Sequence, residues 1–275
     1  MRNGKVTIIE YILLIILAVI FLFPLFWMFK TSISPSTEII SVVPKFWPSK
    51  VVWENYLVPF KRIQLLREYA NTILIVGTSM IGIVFVAPIC AYSFARLEWV
   101  GRDVVFMILL TGIILPPAVT LIPTFIGWSK VGLSHSYVPL ILPNVMGGGV
   151  FDIFLLRQYF KSLPSELGEA ARIDGAGFVQ EYFLVYLPLA KSGVIVVGLF
   201  GFFYLWNDYL NPLVYINKEI NYTLALGLRE FISSYNAQWT YLMAAATLIA
   251  LPCIIIYAVG QKYIVEGIST TGLKG

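Results

Sequence analysis

Long stretches without a charged residue dominate this sequence. Each approaches the roughly 20 residues that a helix needs to cross the ~30 Å hydrocarbon core of a bilayer. Charged residues make up only 12% of the 275 positions and hydrophobic residues 59%, whereas a soluble domain carries about 25% charged residues. The chain is therefore expected to be an all-α, polytopic membrane protein whose helices satisfy their own backbone groups.

Six apolar windows are predicted to span the membrane within a single transmembrane domain that covers residues 1–275. They lie at about 8–29, 71–94, 104–128, 137–156, 192–215 and 240–261. The first window follows Arg2 and Lys5, as in a signal peptide. It is too long for a signal-peptide core and no small-residue cleavage site follows it, so we interpret it as a retained span.

Basic residues indicate which side of the membrane the termini face. Six spans put both termini on one side, and the predicted segments on that side hold ten Lys and Arg residues. The other side holds nine, but six of these lie in the long segment 30–69, and setting that loop aside leaves three. Because short cytoplasmic loops are enriched in Lys and Arg, both termini are predicted to be cytoplasmic, in a bacterial cell membrane.

Side chains typical of catalysis or metal binding are sparse. Cys90 and Cys253 lie inside apolar windows, where small buried hydrophobes are the common interpretation, and the single histidine, His135, lies in a short loop. No GxxxxGK[ST] phosphate loop occurs, so the chain is not expected to bind nucleotide. The sequence predicts no enzyme activity, no catalytic residue, no metal site, no cofactor and no nucleic-acid partner.

Two carboxylates, Asp152 and Asp208, lie well inside the second to fifth predicted spans. Proton- and sodium-coupled carriers need such groups as relays or ion ligands, so their scarcity argues against an ion-coupled carrier or channel. Asp152 lies near the predicted inner face, where a structural role is expected. The prolines and glycines of the spans, including 147–149, fit either a bundle around a pathway or kinks packed against neighbours.

The segment 161–190, between the fourth and fifth predicted spans, is far longer than a helix-to-helix connection requires. Ser165 after Pro164 is a candidate N-cap, and Gly175 suits the position that ends a helix. This spacing predicts a helix of about nine residues, which is too short to be stable alone in water. The helix therefore needs a partner to dock against.

Small and charged residues mark the surface of this predicted helix. Ala170 and Ala171 lack bulk, so a partner can approach closely, and Glu169 and Arg172 offer charge beside them. An amphipathic helix lying on the membrane is the alternative. It would need a broad apolar face and basic flanks, which this segment lacks.

The loop 161–190 resembles the EAA loop of binding-protein-dependent ABC import permeases, although Val185 stands where the family pattern has Ile. Its matching residues are Glu169, Ala170, Ala171, Gly175, Leu187 and Pro188. The segments FARLEWVGR, IFLLRQYFKSLPSEL, WNDYLNPL and GISTTGLKG are similar to the MalG-like branch of the family, the shorter permease of carbohydrate importers. The resemblance thus covers essentially the whole chain.

That resemblance implies an ABC importer type I permease fold and one half of the pathway of an ATP-driven sugar importer. The implied partners are a second, MalF-like permease, two copies of an ABC ATPase subunit, an extracellular solute-binding protein, the sugar and the lipid bilayer. It also implies that the short helix docks in a cleft of the ATPase and that the cytoplasmic tail 267–275 can reach between the two ATPases. The implied coupling residues are Glu169, Ala170, Ala171, Arg172, Asp174, Gly175, Leu187 and Pro188.

A candidate substrate pathway lies near the end of the fifth predicted span. Trp206 follows Lys191 by fifteen residues, or about 22 Å of helix rise. Amides and a carboxylate beside aromatic rings suit the hydroxyls and C–H faces of a sugar; an aromatic belt with a helix end in water is the open alternative. The sequence also leaves open whether the ligand is a disaccharide, a longer oligosaccharide, a glycan fragment or a polyol. The candidate residues are Tyr204, Trp206, Asn207, Asp208 and Asn211.

Overall fold

The computed structural model describes residues 8–39, 45–232 and 238–272, with the backbone alone over 266–272. Within these ranges the chain forms helices and turns and no β-strand. The prediction of an all-α membrane protein is confirmed. Arg2, Lys5 and residues 273–275 of the predicted tail lie outside the described residues.

The main helices are labelled here in chain order. They are α1 (Ile8–Ser32), α2 (Leu65–Arg96), α3 (Arg102–Ile114), α4 (Pro117–Lys130), α5 (Val138–Gly147), α6 (Val150–Ser162), α7 (Glu166–Ile173), α8 (Phe178–Leu189), α9 (Lys191–Trp206), α10 (Leu210–Tyr215) and α11 (Trp239–Gly272). Shorter helical turns cover Ser36–Ile39, Trp53–Leu57, Val58–Arg62, Glu219–Asn221, Leu224–Gly227 and Leu228–Phe231.

Candidate membrane spans number between four and six in the described residues. Four segments are each long and apolar enough to cross the membrane: Ile8–Ser32, Leu65–Arg96, Val138–Ser162 and Trp239–Val265. Two bent pairs, α3 with α4 at 105° and α8 with α9 at 74°, bring the number to six if each counts as one span.

The window predicted at 104–128 is not one straight helix, because α3 and α4 meet at a sharp corner. Leu115 adopts an extended conformation (φ −73°, ψ 122°) before Pro116 and Pro117. A residue that precedes proline is disfavoured in the helical region, and proline donates no backbone hydrogen bond. The proline pair therefore breaks this window rather than only bending it.

The chain divides into two compact units. The first holds the described residues up to Leu66 together with Gly227–Leu251, and the second holds Arg67–Leu226 and the chain from Pro252 onward. In the first unit, the side chains of α1 from Ile8 to Leu25 are exposed. The buried amide of Asn55 donates hydrogen bonds to the carbonyls of Ser32 (2.8 Å) and Ser34 (3.0 Å), which satisfies groups at the end of α1.

In the second unit, α2 packs closely against α5 and α6. A Cβ atom placed on Gly82 would lie 1.8 Å from the carbonyl oxygen of Asn144, so the two backbones are in contact. Small residues at helix crossings permit such close approach in membrane proteins. The left-handed conformations of Gly148 (φ +64°) and Gly149 (φ +80°) then separate α5 from α6. Asp152 lies in the first turn of α6, where the helix dipole favours a carboxylate.

The loop after α10 is fastened to the start of α2 by hydrogen bonds to its backbone. Arg67 donates to the carbonyl of Ile220 at 2.9 Å, and Asn71 donates to that of Tyr222 at 2.9 Å. The Thr72 hydroxyl accepts a hydrogen bond from the backbone N–H of Leu224 at 3.0 Å. These contacts fix the far end of α10, which lines the cavity described below.

Candidate functional site

The short helix predicted in the segment 161–190 is α7, which runs over Glu166–Ile173. Gly175 follows it with φ +88°, a left-handed conformation that favours glycine. The N–H of Ala176 bonds to the carbonyl of Ala171 (2.9 Å), and that of Gly175 to Arg172 (3.0 Å). This pair of bonds is the Schellman arrangement that ends many helices. The helix is therefore terminated by local backbone chemistry.

Ser165 occupies the N-cap position of α7, but its side chain makes no capping hydrogen bond. Its backbone remains helical, with φ −72° and ψ −29°, whereas a capping serine normally adopts an extended conformation. The predicted side-chain cap was thus wrong in detail. The start of α7 instead depends on backbone bonds from Gly168 (3.0 Å) and Glu169 (3.2 Å) to the Ser165 carbonyl.

One face of α7 is held against α8 by an ion pair. The Arg172 guanidinium donates from Nε to Oε2 of Glu181 at 2.8 Å and from Nη2 to Oε1 at 3.1 Å. The Glu181 side chain is 0% exposed and that of Arg172 is 47% exposed. The hydrogen bond to this carboxylate raises the pKa of Arg172 above its ordinary value. Gly168, one turn before Arg172, lies on the same face and is buried.

Aromatic residues fill the space beneath this pair. Tyr186 of α8 is buried, and its ring centroid lies 5.5 Å from that of Tyr92 on α2. The guanidinium of Arg96, at the end of α2, lies 4.7 Å from the Tyr186 ring centroid. Arg96 also donates hydrogen bonds to the carbonyls of Phe160 (2.6 Å) and Leu163. The ends of α2 and α6 therefore contact each other and α8, on which α7 packs.

The other face of α7 is open. Glu169, Ala170 and Asp174 are exposed, Ala171 is half-buried, and Ile173 is 87% exposed. Leu167 is also exposed, at 40%, so this side of α7 presents apolar surface beside its charged groups. We call this face, formed by Leu167, Glu169, Ala170, Ile173 and Asp174, the open face of α7.

Six of the eight predicted coupling residues fall into three groups in the structure, while Ala171 is half-buried in α7 and Gly175 ends that helix. Glu169, Ala170 and Asp174 belong to the open face, whereas the guanidinium of Arg172, although its side chain is 47% exposed, is bound to Glu181. Leu187 and Pro188 lie at the end of α8, just before the 74° bend into α9. Sequence reasoning missed Gly168, Glu181 and Tyr186. The four-residue spacing of Gly168 and Arg172 was the one available signal, because it places them on one helix face.

A cavity of about 740 Å³ lies among α4, α5, α9 and α10. Its walls combine aromatic rings with short polar side chains, and Asp208 is the one charged residue among the described residues that line it. Predicted pathway residues in the lining are Tyr204, Asn207, Asp208 and Asn211. Residues that sequence reasoning missed are Thr120, Thr124, Trp128 and Asn144. They lie in other windows, so spacing along α9 and α10 could not reveal them.

Trp206 does not line this cavity. Its indole is 4% exposed and stacks on Phe202, one turn earlier in α9, with ring centroids 5.2 Å apart. Trp206 is therefore the one predicted pathway residue that the structure places outside this cavity lining. Asp208 is held in place instead, because its carboxylate accepts hydrogen bonds from Nδ2 (2.9 Å) and the backbone N–H (3.2 Å) of Asn211.

Comparison with known proteins places these features in a family. Residues 83–270 match the family described as "Binding-protein-dependent transport system inner membrane component". The chain belongs to this family. As a binding-protein-dependent permease it is a multi-pass protein of the cytoplasmic membrane, and the resemblance of the sequence to ABC import permeases is confirmed.

The permease is similar over nearly its whole length to curated relatives. It is 31% identical to the "Diacetylchitobiose uptake system permease protein NgcG" of Streptomyces coelicolor, covering 95% of this chain and 87% of the relative. It is 30% identical to the "Galactooligosaccharides transport system permease protein GanQ" of Bacillus subtilis, covering 97% and 95%. A solved bacterial ABC transporter that imports the acidic polysaccharide alginate contains a chain with a TM-score of 0.78 and 27% identity, covering 93% and 95%.

Proposed function

We propose that this permease forms one half of the pathway of an ATP-driven importer of neutral oligosaccharides. A separate ATPase docks on the open face of α7, a second permease completes the pathway, and an external binding protein delivers the sugar. Both termini face the cytoplasm, which puts α7 on the same side as ATP. The chain carries no catalytic role in this proposal.

The open face of α7 is the observation that carries the proposal. The helix is fixed on one side by Arg172 and Glu181, yet it leaves Ile173 exposed on the other. A helix of this length has too few internal hydrogen bonds to persist without tertiary contacts. A rigidly mounted helix with a free, partly apolar face suits a docking surface. In the complex, closure of the ATPase around ATP would displace α7 and so move the bundle.

The side chains that line the cavity are suited to binding a neutral sugar. Aromatic rings such as Tyr204 can stack on sugar C–H faces, and the amides and hydroxyls of Asn144 and Thr124 can bond to sugar hydroxyls. The Asp208 carboxylate would repel a uronate, and no cation among the described lining residues offsets it. The sugars named for the relatives NgcG and GanQ are consistent with this expectation.

A transport assay tests the proposal. The complete complex, purified with its co-expressed neighbours and placed in proteoliposomes with the binding protein, is expected to take up diacetylchitobiose or a galactooligosaccharide only with ATP. The same vesicles are expected to exclude oligoalginate. Replacing Tyr204, which is 66% exposed in the cavity wall, with alanine should lower uptake about fivefold, since an aromatic contact contributes about 1 kcal/mol.

Tyr257→Ala is the matched control, because Tyr257 is 52% exposed on α11 and does not line the cavity. It should leave uptake near that of the unaltered protein. Uptake without ATP, or uptake of oligoalginate in preference to both neutral sugars, would contradict the proposed function. Equal loss in both tyrosine variants would remove Tyr204 from the pathway.

A further inference from the structure

The interaction between α7 and α8 involves a carboxylate that solvent does not reach. Glu181 is 0% exposed, and both of its oxygens accept hydrogen bonds from Arg172. Two parallel N–H···O bonds fix the relative orientation of the two side chains as well as their distance. Removing one partner of a buried pair leaves an uncompensated charge, which is strongly unfavourable. The pair therefore resists any sliding of α7 along α8.

The buried side of this pair continues into the membrane helices. The hydroxyl of Tyr92, on α2, donates a hydrogen bond to the carbonyl of Phe178, at the start of α8, at 3.5 Å. Tyr92 also contacts the ring of Tyr186, on which the Arg96 guanidinium lies at 4.7 Å. Arg96 in turn donates to the carbonyl of Phe160 near the end of α6. A contiguous set of polar and aromatic contacts thus connects α7 with the ends of α2 and α6.

We infer that Arg172 and Glu181 are positioning residues that hold α7 rigidly on α8, so that displacement of α7 is passed to α2 and α6. The inference rests on the proposed coupling function and names the residues that transmit the movement. Arg172 acts through Glu181 and does not itself dock the ATPase. Without the pair, the open face still binds the ATPase, but α7 shifts against α8 and the bundle does not follow.

The substitutions that test this inference differ in which charge they remove. Glu181→Gln keeps the shape of the side chain and removes its charge. Arg172→Gln removes the cation and leaves the buried carboxylate. The double variant removes both charges, which avoids the uncompensated group. Because the residues act as a pair, the double variant should be no worse than either single variant. Arg229→Gln is the control, since Arg229 and Glu230 form an exposed pair at 4.0 Å.

The measurement is the opening of the cavity on addition of ATP, which needs no knowledge of the sugar. The complete complex in nanodiscs carries Cys90→Ala, Cys253→Ala and Thr124→Cys, where position 124 lines the cavity. The rate at which fluorescein maleimide labels the cysteine at position 124 is measured with and without Mg-ATP. In this background, ATP should change the labelling rate about tenfold, as is typical of coupled sites.

Glu181→Gln, Arg172→Gln and the double variant should each retain the ATPase and its ATP hydrolysis, while the ATP-dependent change in labelling falls below about twofold. Arg229→Gln should retain the full change. A full change in Glu181→Gln and in the double variant overturns the inference. Release of the ATPase by Arg172→Gln but not by Glu181→Gln also overturns it, because Arg172 would then be a docking residue. If the background complex lacks an ATPase or any ATP-dependent labelling, the proposed function itself fails.

Discussion

Gly82→Ala is expected to destabilise the permease by about 3 kcal/mol, the cost of overpacking a tight contact between backbones. The new Cβ atom would lie 1.8 Å from the Asn144 carbonyl oxygen and 2.6 Å from Cα of Val145. Both are backbone atoms, so no side-chain rotation can relieve the clash and α2 must move away from α5. The midpoint of unfolding in an SDS titration of the purified protein measures this loss.

Gly77→Ala is the matched control on the same helix. Gly77 is exposed, and a Cβ atom there would meet nothing within 4 Å. Alanine favours a helix over glycine by about 1 kcal/mol, so this variant should be as stable as the unaltered protein or slightly more so. If both glycine variants unfold at the same SDS concentration, the close packing of α2 on α5 is not what stabilises this part of the permease.

Gly168→Val is expected to abolish ATP-driven transport while leaving the membrane bundle folded. A Cβ atom at Gly168 would lie 2.6 Å from the Tyr186 hydroxyl oxygen and 2.7 Å from Oε1 of Glu181. These two side chains cannot easily yield, because Tyr186 packs against Tyr92 and Arg96 and Glu181 is bound by Arg172. The valine would therefore push α7 off α8. Uptake should fall more than about a hundredfold, a loss of roughly 3 kcal/mol in coupling.

Gly177→Val serves as the control for this substitution. Gly177 lies in the same loop with φ −77°, and a Cβ atom there would meet nothing within 4 Å. This variant should transport at the normal rate. Thermal unfolding followed on both variants separates a local shift of α7 from general damage, because Tm should be nearly unchanged in each. Normal transport by Gly168→Val would show that close packing of α7 against α8 is not needed for coupling.

The ends of α7 could be predicted from the sequence because local signals set them. Gly175 has a left-handed backbone that glycine adopts easily, and Pro164 limits how far the helix can extend backward. The partner of Arg172 could not be predicted in the same way. Glu181 lies nine residues on, after a turn, and only the fold of that turn decides whether the two side chains meet.

Hydropathy located the membrane segments but not their breaks. Pro116 and Pro117 were visible in the sequence, yet a kink within one helix and a 105° corner between two give the same apolar window. The residues at the cavity illustrate the same limit. Asn207 and Trp206 are adjacent in the chain, but Asn207 lines the cavity, whereas Trp206 turns back onto Phe202.

The central claim is that the open face of α7 receives the ATPase, and site-specific photocross-linking tests it most directly. A benzophenone amino acid is placed at position 173, whose isoleucine is 87% exposed, and in a second protein at position 220, whose isoleucine is 42% exposed in the loop after α10. Irradiation of the intact complex should join position 173, and not position 220, to the ATPase subunit. A complex that retains its ATPase but forms that adduct only from position 220, or from neither position, would contradict the account.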